Sequence, residues 1–323
     1  MSTTAISDGD YGRVHVILNP ASSAGRTGRR QAEILAALER RLGPGFSLLV
    51  TGRPDDATAS AREASLAGVE LIVVVGGDGT IQEAVNGLML GGKPPRRTPQ
   101  LGIVNAGTGH GFCQSLGLPG GLDAQCAAIA SGGSRPIDVG RVAFTDEDGR
   151  SRLRYFVNEC QAGIGGQVVE KVRSGYKRLG GSLGFGLATL KAALSWPDRS
   201  IRFSVDDGPF REGLFVGIVA ANGASMAGGM RLAPDAEVDD GRFDVLFMHG
   251  QTLPERLRNF PKIYSGRHLA SPKFGCLRAR SLSMASEETV PFEADGEPLG
   301  CLPCRIEILP SALEIRDVRA PRE

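Results

Sequence analysis

The chain has 323 residues with 37 Lys and Arg against 36 Asp and Glu, a formal net charge of +1, so no global basic field exists to hold nucleic acid. Its length suits two domains, each large enough for its own core, and 23% charged with 41% hydrophobic residues is the composition of an ordinary soluble globular protein. Apolar runs stay far below the roughly 18 residues that cross a bilayer, six cysteines are too sparse for a disulfide framework, and Met1 to Gly12 shows no secretory leader, so a cytoplasmic protein with reduced thiols is expected.

Val14 to Leu18 is a short β-branched run that stops at Asn19-Pro20 and gives way to a small, basic loop, Ala21 to Arg30. Ile34, Leu35, Leu38 and Leu42 then recur at helical spacing. Phe46 to Val50 reads as a second strand, Pro54 to Ala67 as a helix, and Leu71 to Val75 as a strand apolar on both faces. Leu101 to Asn105 adds a strand, Gly109 to Leu116 a short helix and Ala124 to Ser131 another. Strands alternating with helices predict a parallel α/β sheet in this half.

After Gly132-Gly133 the texture changes. Val139 to Phe144, Arg152 to Asn158, Ile201 to Val205, Leu214 to Ala220, Phe243 to Met248 and Cys276 to Met284 read as mostly successive strands, with helical patches around Val168 to Leu194 and Pro254 to Tyr264. The boundary falls near Arg135. We therefore expect an α/β domain over 1–135, a β-rich, sandwich-like domain over 136–300 and a terminal segment, 301–323.

The chemistry concentrates in Gly76-Gly77-Asp78-Gly79-Thr80, where a buried strand runs straight into glycines and a helix start. Thr80 and Glu83 have the spacing of a capping box. Glycines before a helix N-terminus turn backbone N–H groups toward a concavity that suits phosphate, and Asp78 stands where it would hold Mg²⁺ on that phosphate. A plain glycine-rich turn carries the same residues. No Lys-Ser/Thr follows, so this is not the Walker A loop, nor is it the dinucleotide fingerprint.

Gly76 to Thr80 resembles the nucleotide motif of the diacylglycerol kinase and sphingosine kinase group of lipid kinases, a motif also found in NAD kinases and phosphofructokinases. Further stretches in the same order favour the lipid kinases. Asn19-Pro20 with Gly25-Arg26 is similar to the first nucleotide loop, and Leu101-Gly102-Ile103-Val104 before Gly107-Thr108-Gly109 to the second glycine loop. Met230 to Ala236 leading to Asp239-Asp240-Gly241 resembles a second-domain signature, and Asp295-Gly296-Glu297 with Ile306 to Pro310 a C-terminal catalytic stretch.

The resemblance implies a two-domain kinase that binds ATP and Mg²⁺, with the terminal segment returning to the first domain. By motif position, nucleotide would meet Asn19, Pro20, Arg26, Thr51, Gly76, Gly77, Gly79, Thr80 and Thr108; Asp78 would assist metal or the reacting hydroxyl, and Glu297 would be the base. Lys177, in Tyr176 to Gly180, is the candidate cation near the transferred phosphate, although a solvated helix face explains it equally. The family's structural Mg²⁺ would fall on Asp240 with the carbonyls of Glu237 and Arg242, where an Asx turn is the plain alternative. Asp295-Gly296 likewise fits an ordinary hairpin.

Partners follow from the same resemblance: a diacylglycerol-like or sphingoid lipid at the inner membrane face, peripheral contact, no nucleic acid, and room for a homo-oligomer. The family's usual Asn-Asp after Gly-Thr-Gly is replaced by His110-Gly111, and Asn105 replaces the common Pro. A carboxylate is thereby missing, which keeps open a nucleotide- or lipid-binding protein of attenuated activity, as well as a kinase for a soluble acceptor. Cys301-Leu302-Pro303-Cys304 lacks a second pair, and the two thiols of an extended segment diverge, which argues against zinc or redox chemistry.

Overall fold

The computed structural model describes residues 13–89, 98–107, 110–131, 133–174 and 196–316. They form two compact units: the first takes the described residues of 1–108, 117–137 and 312–323, the second those of 109–116 and 138–311.

In the first unit, Val14–Leu18 (β1), Ser47–Val50 (β2), Leu71–Gly76 (β3) and Gln100–Asn105 (β4) make a parallel sheet of order β4-β3-β1-β2. Every residue of β3 is buried, which is why its run is apolar without alternation. Arg26–Arg29 (α1) and Gln31–Leu42 (α2) connect β1 to β2, Asp56–Leu66 (α3) connects β2 to β3, and Asp78–Met89 (α4) leaves β3. Helix α2 packs with Leu122–Ala130 (α6) and α3 packs with α4. Ile34 and Leu38 of α2 meet Val16, Leu18, Val73, Val75 and Ile129 in one core, each full burial stabilising by about 1.5–3 kcal/mol. Ile315 pairs in parallel with Leu101 beside β4.

The second unit is antiparallel and sandwich-like. Gly111–Leu116 (α5) belongs to it, as does the pairing of Ser134–Thr145 (β5) with Ser151–Phe156 (β6). Arg211–Ala221 (β9) is the hub, pairing with Glu159–Gly163 (β7), Arg199–Val205 (β8) and Phe243–His249 (β10). Phe274–Ala279 (β11) extends β10; Ser281–Ala285 (β12) lies between β8 and the start of Cys304–Arg316 (β15); Pro291–Ala294 (β13) joins β7 to Glu297–Cys301 (β14). Phe156 stacks on Phe243 with ring centroids 5.6 Å apart, and Phe144 meets Phe292 edge-on at 5.3 Å, so few aromatics fill this core at high value per residue. Ile164–Ser174 (α7) packs against β13, and Leu253–Ile263 (α8) starts from a capping box of Thr252 and Glu255.

Three expectations need correction. The strand expected over Cys276 to Met284 is two strands, because the Arg280 amide turns away to Asp206 Oδ1 at 2.7 Å. Helix α7 begins at Ile164 rather than Val168, directly after Gly163 at φ 95°; residues 175–194 of that expected patch lie outside the described residues. Helix α4 begins at Asp78, so Thr80 sits inside its first turn rather than capping it.

Candidate active site

The loops that leave β1, β3 and β4 emerge at the same end of the parallel sheet. Because β2 lies on one side of β1 and β3 on the other, the chain direction switches between β1 and β3, the place where open α/β sheets bind ligands. Asn19 and the phosphate loop stand at this switch. The Asn19 amide donates to Val75 O at 2.9 Å, its Oδ1 accepts Ala21 N–H at 3.0 Å, and its Nδ2 donates to Thr80 Oγ1 at 2.9 Å. One side chain thus ties the first loop to the second.

Gly77 O accepts the amides of Thr80 at 2.9 Å and Ile81 at 3.1 Å, so α4 winds directly from the glycine loop and aims the positive end of its dipole there. The third loop comes just as close. A Cβ on Gly107 would fall 2.5 Å from Gly77 Cα, and one on Gly77 would fall 3.1 Å from Gly107 Cα. Two backbones meet with no room for a side chain. Ser23 Oγ and Thr27 Oγ1 both donate to Ala106 O, at 2.8 and 3.2 Å, fastening the first loop to the third. These two hydroxyls escaped the sequence reading, since nothing local marks a contact some 80 positions away.

The remaining nucleotide candidates of this unit fall around that junction. Pro20 O accepts Gly28 N–H at 3.0 Å, Arg26 opens α1 with Nε donating to Ser23 O at 3.2 Å, and the Thr51 amide donates to Leu18 O at 2.9 Å just beyond β2. Gly76 closes β3, while Asp78, Gly79 and Thr80 form the first turn of α4. Thr108 and Lys177 lie outside the described residues.

In the second unit Glu297 opens β14 immediately after a left-handed pair, Asp295 at φ 47° and Gly296 at φ 82°. The turn is anchored from two directions. Asp295 Oδ2 accepts Val157 N–H at 2.8 Å, and its Oδ1 accepts Asn158 N–H at 3.0 Å and Glu159 N–H at 2.9 Å. Glu293 Oε2 accepts Gly296 N–H at 2.7 Å. Asp295 is therefore a structural carboxylate; Glu297 follows it on β14, with its Oε1 3.8 Å from Arg154 Nε. Asn158 continues the polar seam, donating to Ser225 O at 2.9 Å and accepting from Ser115 Oγ at 3.2 Å.

Asp240 meets a different neighbour from the one expected. Its carboxylate forms an ion pair with Arg278 and accepts Arg242 N–H at 3.0 Å, an Asx turn. A carboxylate with the backbone carbonyls of Glu237 and Arg242 is a hard-oxygen set of the kind Mg²⁺ takes, but Arg278 answers its charge. Among the described residues no cluster of three or more His, Cys, Asp or Glu is placed to hold a metal. The turn itself is held by Asp138, which the sequence reading missed: its Oδ2 accepts Gly241 N–H at 2.6 Å, its Oδ1 accepts Ser311 N–H at 2.8 Å, and burial raises its pKa. Cys301 is exposed and Cys304 buried, with its thiol pushed up to about 12 by desolvation, and no disulfide joins them.

Residues 13–142 match the family model for the diacylglycerol kinase catalytic domain, and residues 158–317 match the YegS C-terminal NAD kinase beta sandwich-like domain. A diacylglycerol kinase of Bacillus subtilis (strain 168) is 30% identical over 292 residues, covering 90% of this chain and 91% of that protein. One from Staphylococcus carnosus (strain TM300) is 28% identical over 305 residues, 94% of each. A crystal structure from Bacillus anthracis str. Sterne, assigned as a diacylglycerol kinase, superposes with a TM-score of 0.76 at 25% identity, covering 95% of this chain and 97% of that one.

Proposed function

Because this chain belongs to the diacylglycerol kinase family of lipid kinases, we propose that it transfers the γ-phosphate of ATP to the hydroxyl of a diacylglycerol-like or sphingoid lipid. The observation that carries the reading is the junction of Asn19, Thr80, Gly77 and Gly107 at the switch point of the parallel sheet. It supplies backbone amides, a helix N-terminus and close approach, the features that phosphate binding uses.

In this reading Asn19, Thr80 and the glycine loop hold the nucleotide. Glu297 takes the proton of the lipid hydroxyl as its oxygen bonds to the γ-phosphorus and the bond to the β,γ-bridging oxygen breaks, leaving ADP. Asp78, a hard carboxylate on the first turn of α4, is the side chain that would hold Mg²⁺, which would neutralise charge on the phosphates when bound. With no carboxylate at Gly111, that task falls to Asp78.

No described helix is long and apolar enough to cross a membrane. As a separate proposal, the protein contacts the bilayer peripherally on the cytoplasmic face through the basic residues Lys171, Arg173, Lys177 and Arg178, and sedimentation analysis tests self-association. The test of the central reading is transfer of label from ATP to diacylglycerol, sphingosine, ceramide and isoprenoid alcohols in mixed micelles. Asp78→Asn is expected to lower turnover at least tenfold, about 1.4 kcal/mol of barrier. Turnover within about threefold of wild type, under 1 kcal/mol, would remove the glycine loop from the mechanism.

A further inference from the structure

Glu293 is fully buried on β13, opposite Gln161 of β7 and on the strand that α7 packs against. One carboxyl oxygen, Oε2, accepts Gly296 N–H at 2.7 Å, while Oε1 has no hydrogen-bond partner among the described residues. Two residues along, Asp295 spends its own carboxylate on three amides, a set that favours the ionised form. Two adjacent acids, one solvated by backbone and the other sealed with an idle oxygen, have opposite preferences for the proton.

We propose that Glu293 is a positioning residue for Glu297, holding the Asp295-Gly296 turn through a buried carboxyl group that works in its protonated form. The inference rests on the reading of Glu297 as the base. Gly296 is left-handed, and its N–H is taken up by the buried Glu293 carboxyl, so the turn keeps its shape only while an acceptor stands at that depth. A neutral carboxyl provides the acceptor without a buried charge. An ionised one would set a second buried anion beside Asp295, with only the Gln161 side chain and the Gly296 N–H to offset it.

Burial pushes the Glu293 carboxyl up to about 8; the bonds with Gln161 and Gly296 oppose this, and the charge of Asp295 adds to it. The other titratable groups around it are Glu159 and Cys160 of β7, Glu297 of β14 and Cys304 of β15. Burial holds the Cys160 and Cys304 thiols well above their ordinary range, so neither ionises near neutrality. Of α7, the described side chains, 164–169, carry no titratable group. The working form is therefore present below about pH 8 and is lost as pH rises through that value.

The experiment measures kcat from pH 6 to 9.5 for the full-length wild type, Glu293→Gln, Glu293→Leu and Glu297→Gln with a lipid acceptor in mixed micelles, with urea denaturation of wild type and Glu293→Gln over the same range. Glu293→Gln retains the acceptor and cannot ionise. It is expected to keep kcat within about threefold at pH 7 and to lack the alkaline fall that wild type shows above about pH 8. Glu293→Leu is expected to lose kcat at least tenfold with ATP affinity unchanged. In denaturation, wild type should lose stability relative to Glu293→Gln as pH rises from 6 toward 8 and level off above it. An identical alkaline limb in Glu293→Gln, or identical pH dependence of the two unfolding curves, overturns the proposal even if Glu293→Leu fails to fold. A fully active Glu297→Gln overturns the reading of the base, and the positioning role with it, while the denaturation series still reports whether Glu293 is a buried acid.

Discussion

Arg154 Nε stands 3.8 Å from Glu297 Oε1, a cation of β6 facing the carboxylate that follows the left-handed turn. Both side chains keep more than a third of their exposure, 35% and 39%, so solvent screens the pair to about 0–1 kcal/mol. Arg154→Met is therefore expected to change turnover by less than about fivefold, whereas Glu297→Gln, which keeps the shape and removes the basic oxygen, should lower it by roughly 10² or more. Steady-state kinetics on both variants, with ATP binding measured alongside, checks the difference. Equal losses would make the ion pair, rather than proton transfer, the role of Glu297.

The glycine junction yields an asymmetric expectation. Gly107→Ala would bring a Cβ to 2.5 Å from Gly77 Cα, a distance that backbone must move to relieve, while Gly77→Ala would bring one to 3.1 Å, which a shift of a few tenths of an ångström relieves. ATP affinity is expected to fall roughly tenfold or more for Gly107→Ala, about 1.4 kcal/mol, and less for Gly77→Ala. Calorimetric titration with ATP decides it. Unchanged affinity in Gly107→Ala would mean that the approach of the loops at β3 and β4 is packing alone.

Asp295 is a stability prediction. Replacing it by Asn keeps an acceptor for two of the three amides but turns an N–H toward Val157 N–H, leaving that donor unsatisfied. The expected loss is about 2 kcal/mol, the scale of one charge-assisted hydrogen bond and the desolvation it leaves behind. Urea unfolding measures it. A change within about 0.5 kcal/mol, typical of surface positions, would show the turn to be solvated.

Gly76 to Thr80 was legible because strand, glycines and helix lie within a few residues, and local order carries their signal. A capping box of Thr80 and Glu83 would start the helix at Ile81, three residues late, because the Thr80 hydroxyl is engaged by Asn19, 61 residues earlier in the chain. Asp295 posed the opposite problem. Its hairpin is visible in the dipeptide, but the amides it binds are 136 to 138 residues away, so no window of sequence distinguishes a catalytic Asp-Gly-Glu acid from a stapling one. β15 was hidden by Pro310, which breaks the strand pattern locally; Asp138 accepts the next amide, Ser311, which sits at φ 51°. Tertiary hydrogen bonds, rather than propensity, decide those places.

His15 sets the acid limit of the first unit. It is fully buried in β1, with Nδ1 2.8 Å from Ser47 Oγ and Nε2 2.7 Å from Ser60 Oγ, so two hydroxyls satisfy a neutral ring that can donate from one nitrogen and accept at the other. Desolvation lowers its pKa from 6.5 to about 4. The unfolded chain therefore binds more protons than the folded one between those values, and stability rises with pH across that window. The contribution is complete above about pH 6.5 and lost as pH falls toward 4, a span of some 2.5 units or about 3 kcal/mol. Urea denaturation of the full chain, followed by circular dichroism, should show that slope in wild type. His15→Gln keeps a donor and an acceptor but cannot take up the proton, so its stability should be nearly flat in this range once the carboxylates common to both proteins are subtracted. A slope that persists undiminished in His15→Gln would assign the acid sensitivity to other groups and leave the buried imidazole as packing.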